Sequence, residues 1–252
     1  MSDRVYFISD VHLGVPDGKR NAEQHQDALI GFLRHIGETG GKLFVVGDLF
    51  DFWFEYRSSI PTTGARVIFE LYALVQRGVE VVILPGNHDI WLGDYLRDQV
   101  GLKVCDNPLE IELQGRRFHI THGDEFGADW QFNLSRTILK SRLCIWLFSL
   151  MHPDLGVRLG RLTSGVSDAK ARITPRDDRR IYEQVAERLI QEGADVVVCG
   201  HYHHGIDLDI YNGKLIVLGN WLRSDTYAEL AGGEIRLMWW LGDRGEPVTD
   251  SH

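Results

Sequence analysis

The strongest constraint in this chain is the way its short apolar runs end. Val5-Tyr6-Phe7-Ile8-Ser9 breaks into Asp10-Val11-His12, and Leu43-Phe44-Val45-Val46 into Gly47-Asp48. Val81-Val82-Ile83-Leu84 leads into Pro85-Gly86-Asn87-His88-Asp89, and Val196-Val197-Val198-Cys199 into Gly200-His201-Tyr202-His203. Short continuous apolar runs of this kind read as buried strands. Helical patterns near 21–38, 62–77 and 176–191 lie between them. Strand, helix, strand at this spacing predicts an α/β arrangement, and the polar blocks fall at the strand ends where such sheets gather ligands.

Three further segments read as antiparallel. Residues 110–113 and 117–121 flank Gln114-Gly115, 206–211 and 214–218 flank Asn212-Gly213, and 227–231 and 234–240 flank Gly232-Gly233. Asn-Gly supplies the positive φ angles of a tight hairpin turn. The sheet is therefore expected to be mixed, with a β-rich C-terminal part. No repeat or low-complexity linker divides the chain, and a single domain over 1–252 is expected.

Residues 130–175 stand apart. Trp130 to Leu150 is helix-like and heavily apolar, Pro153 and Gly156 break it, and a second short helix is expected to run through Leu162. Residues 136–180 hold ten of the 27 Lys and Arg and four of the 36 Asp and Glu, a local charge of +6 against −15 for the rest. A basic, apolar helical insertion in an acidic protein reads either as a lid or membrane-facing element, or as a helical hairpin packed on the core.

The net charge of −9 gives no general nucleic-acid footprint. The three cysteines, Cys105, Cys144 and Cys199, form no CxxC pair, which argues against a disulfide framework or a cysteine zinc site. No signal-peptide pattern opens the chain, and no apolar run approaches the ~20 residues of a bilayer span. A cytoplasmic protein is expected, with membrane contact only from one side.

The chemistry lies in the blocks. Asp10-x-His12, Gly47-Asp48-x-x-Asp51, Gly86-Asn87-His88-Asp89, His122-Gly123-Asp124 and Gly200-His201-x-His203 hold five of the eleven histidines. Oxygen and imidazole donors without thiolate suit Mn²⁺, Fe²⁺ or Zn²⁺. His204 adjoins the last block but lies outside the pattern and reads as structural. Gly86 and Gly200 are expected to serve tight backbone turns.

In this order the blocks resemble those of the calcineurin-like metallophosphoesterases, over Asp10 to His203. The resemblance implies a pair of mixed β-sheets flanked by helices, an αββα sandwich with a helical lid insertion. It implies two divalent ions, Mn²⁺ first, with Fe²⁺ or Zn²⁺ as alternatives. Asp10, His12 and His203 correspond to the ligands of one, Asn87, His122 and His201 to those of the other, and Asp48 to the bridging carboxylate. A bridging carboxylate offsets repulsion between two cations that clamp a phosphate and acidify a water. His88 resembles the family histidine that stabilises or protonates the leaving oxygen. Asp51 and Asp89 are expected to orient the ligating groups, and Asp124 is a candidate for that role.

Within the family the chain looks most similar to the UDP-2,3-diacylglucosamine pyrophosphohydrolases of lipid A synthesis. Gly47-Asp48-Leu49-Phe50-Asp51-Phe52-Trp53, the His122-Gly123-Asp124 block and the helical insertion carry that likeness. It implies hydrolysis to UMP and 2,3-diacylglucosamine 1-phosphate at the inner-membrane surface, with a nucleotide-sugar lipid as partner and no nucleic acid. The oligomeric state is left open. Apolar residues such as Ile138, Leu143, Trp146, Phe148 and Leu150 would line an acyl groove. Substrate contacts fall on Asn87, His88, Asp129, Ser164, Lys170 and Arg172. The chain departs from the branch in having His88 where arginine is usual, Tyr202 where threonine is usual, and Asp129 in place of a paired acid. The alternatives are a soluble nucleotide pyrophosphatase or phosphodiesterase of the same family, and a non-catalytic binding scaffold on its fold.

Overall fold

A computed structural model describes residues 3–15, 21–128, 130–160, 175–222 and 224–248. The apolar runs form the centre of a first sheet. Strands β1 (Val5–Ile8), β2 (Lys42–Val46) and β3 (Glu80–Leu84) run parallel, and β4 (Lys103–Val104) extends them. A second sheet holds β5 (Leu109–Leu113), β6 (Arg116–Thr121), β7 (Val196–Cys199), β8 (Gly205–Ile210) and β9 (Gly213–Leu218), in the order β5-β6-β7-β9-β8. The chain then returns to the first sheet as β10 (Thr226–Ala231), β11 (Glu234–Trp240) and β12 (Gly245–Pro247), antiparallel on the far side of β1. Both sheets are mixed, as the sequence predicts.

Alternation along each strand sorts side chains between two cores. Phe7, Phe44, Val46 and Leu84 point to the second sheet and meet Phe118, Ile120, Val198 and Ile216. Phe7 stacks on Phe44 at 5.1 Å and on Phe118 at 6.0 Å. Fully burying one such side chain contributes about 3 kcal/mol. Tyr6, Ile8, Val45 and Ile83 face the other way, against α1 (Ala22–Thr39) and α2 (Ala65–Gln76). Helix α1 begins at a capping box in which Asn21 and Gln24 satisfy each other's backbone N–H groups. The outer face of the second sheet is covered by α6 (Pro175–Gln191), whose Tyr182, Ala186 and Ile190 pack on Val197, Leu215 and Val217. The layers are helix, sheet, sheet, helix.

Two expectations shift. The 206–218 hairpin turns one residue earlier than Asn212-Gly213: Ile210 pairs with Gly213, and Tyr211 takes the positive φ of +52°. Gly213 instead sits within β9, where a Cβ would approach Ile190 to 2.9 Å, so α6 packing fixes it. The 130–150 segment of the insertion is not one helix, and the short helix after it starts at Pro153 and contains Gly156. The insertion divides into α3 (Trp130–Leu139), α4 (Arg142–Ser149) and α5 (residues 153–160). Ser141 accepts from the Cys144 N–H and caps α4, which explains the break.

Candidate metal centre

The polar blocks converge where the carboxyl ends of the two sheets meet. Asp10, His12, Asp48, His201 and His203 all have φ between +49° and +65°. Left-handed backbone costs a non-glycine residue on the order of 1–3 kcal/mol and persists where surroundings over-determine it. Backbone hydrogen bonds do so here: the Val11 and His12 N–H groups donate to the Asp48 carbonyl at 2.9 and 3.0 Å. Glycines admit the remaining approach. A Cβ on Gly86 would lie 2.1 Å from Asp48 Oδ1, and one on Gly200 2.0 Å from Ser9 Oγ. Neither glycine has a positive φ among those of the chain, so close packing and not a tight turn requires them.

Asp10 Oδ1 faces His203 Nε2 at 3.1 Å and His12 Nε2 at 3.8 Å. Asp48 Oδ2 faces His122 Nε2 at 3.2 Å, His12 Nε2 at 3.8 Å and His88 Nε2 at 4.0 Å. Donor atoms of Asp10, His12 and His203 lie within 4.8 Å of one another, as do those of Asp48, His122 and His201, and of His12, Asp48 and His88. Asn87 Oδ1 joins at 3.0 Å from His122 Nε2. All seven residues expected to ligate are thus brought together, with Asp48 between the two sets.

The donor set fits divalent cations on an independent observation. Asp10 Oδ1 and Asp48 Oδ2 are buried and accept no hydrogen bond, whereas the partner oxygens are used: Asp10 Oδ2 accepts from the His201 N–H and Asp48 Oδ1 from the His88 N–H, both at 2.9 Å. Two orphaned anionic oxygens aimed among imidazoles require positive charge. Burial opposes ionisation of Asp10, yet His203 and His12 outweigh it and hold the carboxyl well below the carboxylate range. Burial likewise opposes ionisation of Asp48, and His122 and His88 outweigh it. Burial pushes His201 down to about 4, helped by His122, which leaves a neutral ring suited to a cation. The Val46 carbonyl, 3.0 Å from His122 Nδ1, can only accept, so that nitrogen carries a proton. Burial opposes a charged His122 ring but Asp48 raises it well above the ordinary histidine range, and Nε2 is the nitrogen whose proton a bound cation would displace.

Behind the donors, Asp89 works as a staple. Its two oxygens accept from the N–H groups of Gly86, Asp48, Leu49 and Phe50 at 2.8 to 3.3 Å, locking the β2 and β3 loops together. Burial and the neighbouring Asp48 charge raise its carboxyl to about 6. Asp51 stands behind His88, whose Nδ1 is 3.3 Å from the Asp51 carbonyl and 3.4 Å from its carboxylate. Asp124 faces Arg136 of α3 at 3.1 Å and ties the lid to the His122 loop, while its charge also acts on the His122 ring. Asp129, Ser164, Lys170 and Arg172 lie outside the described residues.

Sequence reasoning missed Asn107. Its side chain accepts from the His122 N–H at 3.1 Å and donates to the Pro85 carbonyl at 3.2 Å, so it couples two ligand loops. It belongs to no block, and only the fold brings it there.

The lid presents Trp130, Leu134, Ile138, Leu143, Trp146 and Leu150 to solvent, each more than half exposed. Phe148 turns inward onto Phe52, Phe54 and Trp91. The groove expected from both Trp146 and Phe148 is therefore divided: one residue is free, the other is an anchor.

The chain matches the calcineurin-like phosphoesterase family over residues 3–205. UDP-2,3-diacylglucosamine hydrolase of Porphyromonas gingivalis strain W83 is 28% identical over 253 residues, covering 90% of this chain and 94% of the relative. The hydrolase of that name from Aeromonas hydrophila is 28% identical over 237 residues, covering 92% and 96%. A solved archaeal phosphodiesterase superposes with a TM-score of 0.50 at 16% identity, over 94% of this chain and 99% of that one, and shares the fold. The chain belongs to the calcineurin-like phosphoesterase family and is a hydrolase of that family.

Proposed function

We propose that this calcineurin-like phosphoesterase hydrolyses UDP-2,3-diacylglucosamine to UMP and 2,3-diacylglucosamine 1-phosphate. The observation that carries the reading is the pairing of a complete two-metal donor set with a lid whose apolar face is exposed. The curated relatives of that name, matched over most of both chains, support the substrate.

Asp10, His12 and His203 would hold one divalent cation, and Asn87, His122 and His201 the other. Asp48, central to both sets, would be shared. Mn²⁺ suits these oxygen and imidazole donors. Bound cations would polarise the phosphoryl oxygens and make a water nucleophilic at neutral pH. His88 stands beside Asp48 with Nε2 toward the cradle, where it would stabilise or protonate the leaving phosphate oxygen. Asp51 receives the His88 Nδ1–H and fixes the ring. Hydrolysis forms one bond from water to the phosphorus nearer uridine and breaks the anhydride P–O bond.

The lid would take the acyl groups, and its exposed apolar face with nearby basic residues would rest on an anionic membrane surface. No helix among the described residues is long and apolar enough to cross a membrane. A cavity of about 680 Å³ beside α5, lined by Tyr56, Ile60, Pro61 and Val157 and rimmed by Arg158, offers room for apolar groups.

The test is incubation with UDP-2,3-diacylglucosamine and Mn²⁺, with products identified by mass. UMP and 2,3-diacylglucosamine 1-phosphate are expected. Equal turnover of water-soluble nucleotide diphosphates would replace this reading with a soluble nucleotide pyrophosphatase.

A further inference from the structure

We propose that Trp91 is a positioning residue that seats the lid over the metal centre and so favours bulky, long-tailed phosphoesters over small ones. The choice of long-tailed substrate rests on the function proposed above; the seating rests on geometry alone. Trp91 lies three residues beyond His88 on the β3 loop. Its indole N–H donates to the Leu139 carbonyl at 2.9 Å, at the end of α3, where a helix leaves its last carbonyls unpaired. Its ring meets Phe148 of α4 at 4.8 Å and stands edge-on to Phe54 at 5.4 Å and Phe52 at 6.3 Å. Phe148 closes the cluster on Phe54 at 4.7 Å.

The same platform receives α5. A Cβ on Gly160 would lie 2.1 Å from the Phe52 ring, and one on Gly156 1.9 Å from the Tyr56 hydroxyl. Glycines four residues apart give α5 a bare face there. Helices α3 and α4 bury no residue of their own. Few contacts therefore decide where the lid sits, and this cluster joins it to two of the loops that carry the cradle: Phe52 follows Asp51 directly, and Trp91 follows Asp89 by two residues. The β2 and β3 loops keep their own support, since Asp89 staples them through backbone N–H groups.

The experiment compares the Mn²⁺-loaded protein with Trp91→Ala, Trp91→Phe and Gly160→Ala. The readouts are metal content, hydrogen exchange over residues 139–160, and kcat and KM for bis(p-nitrophenyl) phosphate and UDP-2,3-diacylglucosamine. Trp91→Ala is expected to keep its metals, speed exchange across α4 and α5, and raise KM for the acylated substrate about tenfold, as loss of uniform binding does. Its kcat/KM for the small diester should stay within about twofold of the parent. Trp91→Phe keeps the ring contacts and loses only the N–H, so faster exchange should be confined to the α3–α4 junction. Gly160→Ala strengthens the helix itself while obstructing its seat, and should reproduce the Trp91→Ala pattern. Unchanged exchange in both alanine variants would overturn the seating. Joint loss of metal and small-diester turnover in Trp91→Ala would make Trp91 a support of the metal loop and overturn it equally. A parent protein inactive on the acylated substrate would instead sink the proposed function, with the exchange data still deciding the seating.

Discussion

At the metal centre, charged groups are buried and nearly every polar atom has a partner; in the lid, two helices bury nothing and expose Trp130, Leu143, Trp146 and Leu150. Asp10 and Asp48 are 0% and 1% exposed, and the two oxygens left without hydrogen bonds are those aimed into the donor cluster. Burial of charge is tolerated when the group is paired, and here the geometry reserves a place for a cation. Exposed apolar surface on this scale is tolerated when something outside the chain covers it. The first region is closed by the fold; the second, among the described residues, leaves its apolar face open. Damage to the cradle should therefore show in chemistry, and damage to the lid in selection.

The sharpest break falls on Asp48→Ala. It removes the carboxylate that faces both donor sets, and turnover should fall by at least about 10³-fold with loss of bound metal. Full metal occupancy with near-normal turnover would dissolve the cradle as described.

His88→Ala should slow turnover by roughly 10²–10⁴-fold, the range of a positioned acid–base group, with both metals retained on elemental analysis. Metal loss would instead move His88 among the ligands, beside His12 and Asp48.

Asp89→Asn separates support from ligation. An amide nitrogen cannot accept, so N–H groups now bonded to one carboxylate oxygen become orphans. Metal affinity is expected to weaken about 10–100-fold in a competition titration while the fold persists. Unaltered affinity would show that the β2 and β3 loops need no staple.

At the boundary of the two regions, Arg136→Met leaves Asp124 buried without its cation. Breaking a buried pair costs about 3–5 kcal/mol, with the lower end expected because Arg136 keeps some solvent contact. Chemical denaturation would measure it, and an unchanged midpoint would mean that the pair contributes nothing to lid attachment.

The smallest effect on stability should come from the lid's outer face. Trp146→Gln, at 56% exposure, is expected to alter unfolding free energy by no more than about 0.5 kcal/mol. Sedimentation with anionic phospholipid vesicles should nevertheless fall. Unchanged vesicle binding would leave the exposed apolar face without the lipid partner proposed for it.

Much of this architecture is legible in the sequence. Strands β1, β2, β3 and β7 lie where unbroken apolar runs place them, because a strand buried on both faces leaves no choice of composition. The candidate donors were legible because two-metal chemistry needs oxygen and imidazole atoms, and Asp10, His12, Asp48, Asn87, His122, His201 and His203 carry them at strand ends. The positive-φ backbones of Asp10, His12, Asp48, His201 and His203 were not legible, since Asp and His enter the left-handed region more readily than most residues but only hydrogen bonds between loops impose it.

The sequence alone determined the mixed β-structure and the polar blocks at strand ends, which follow from local pattern, while the layering and the expected donor set came from its resemblance to the calcineurin-like phosphoesterases. Tertiary structure decided what depends on distant neighbours. It placed Asn107 between His122 and Pro85, turned Asp124 toward Arg136, made Gly86 and Gly200 close-packing residues, and divided Trp146 from Phe148. An apolar pattern says that a helix has a face to cover. Which residue on that face meets the core is set by the loops it lands on, and those loops lie some fifty to a hundred residues away in the chain, as Phe52 and Trp91 do from Phe148.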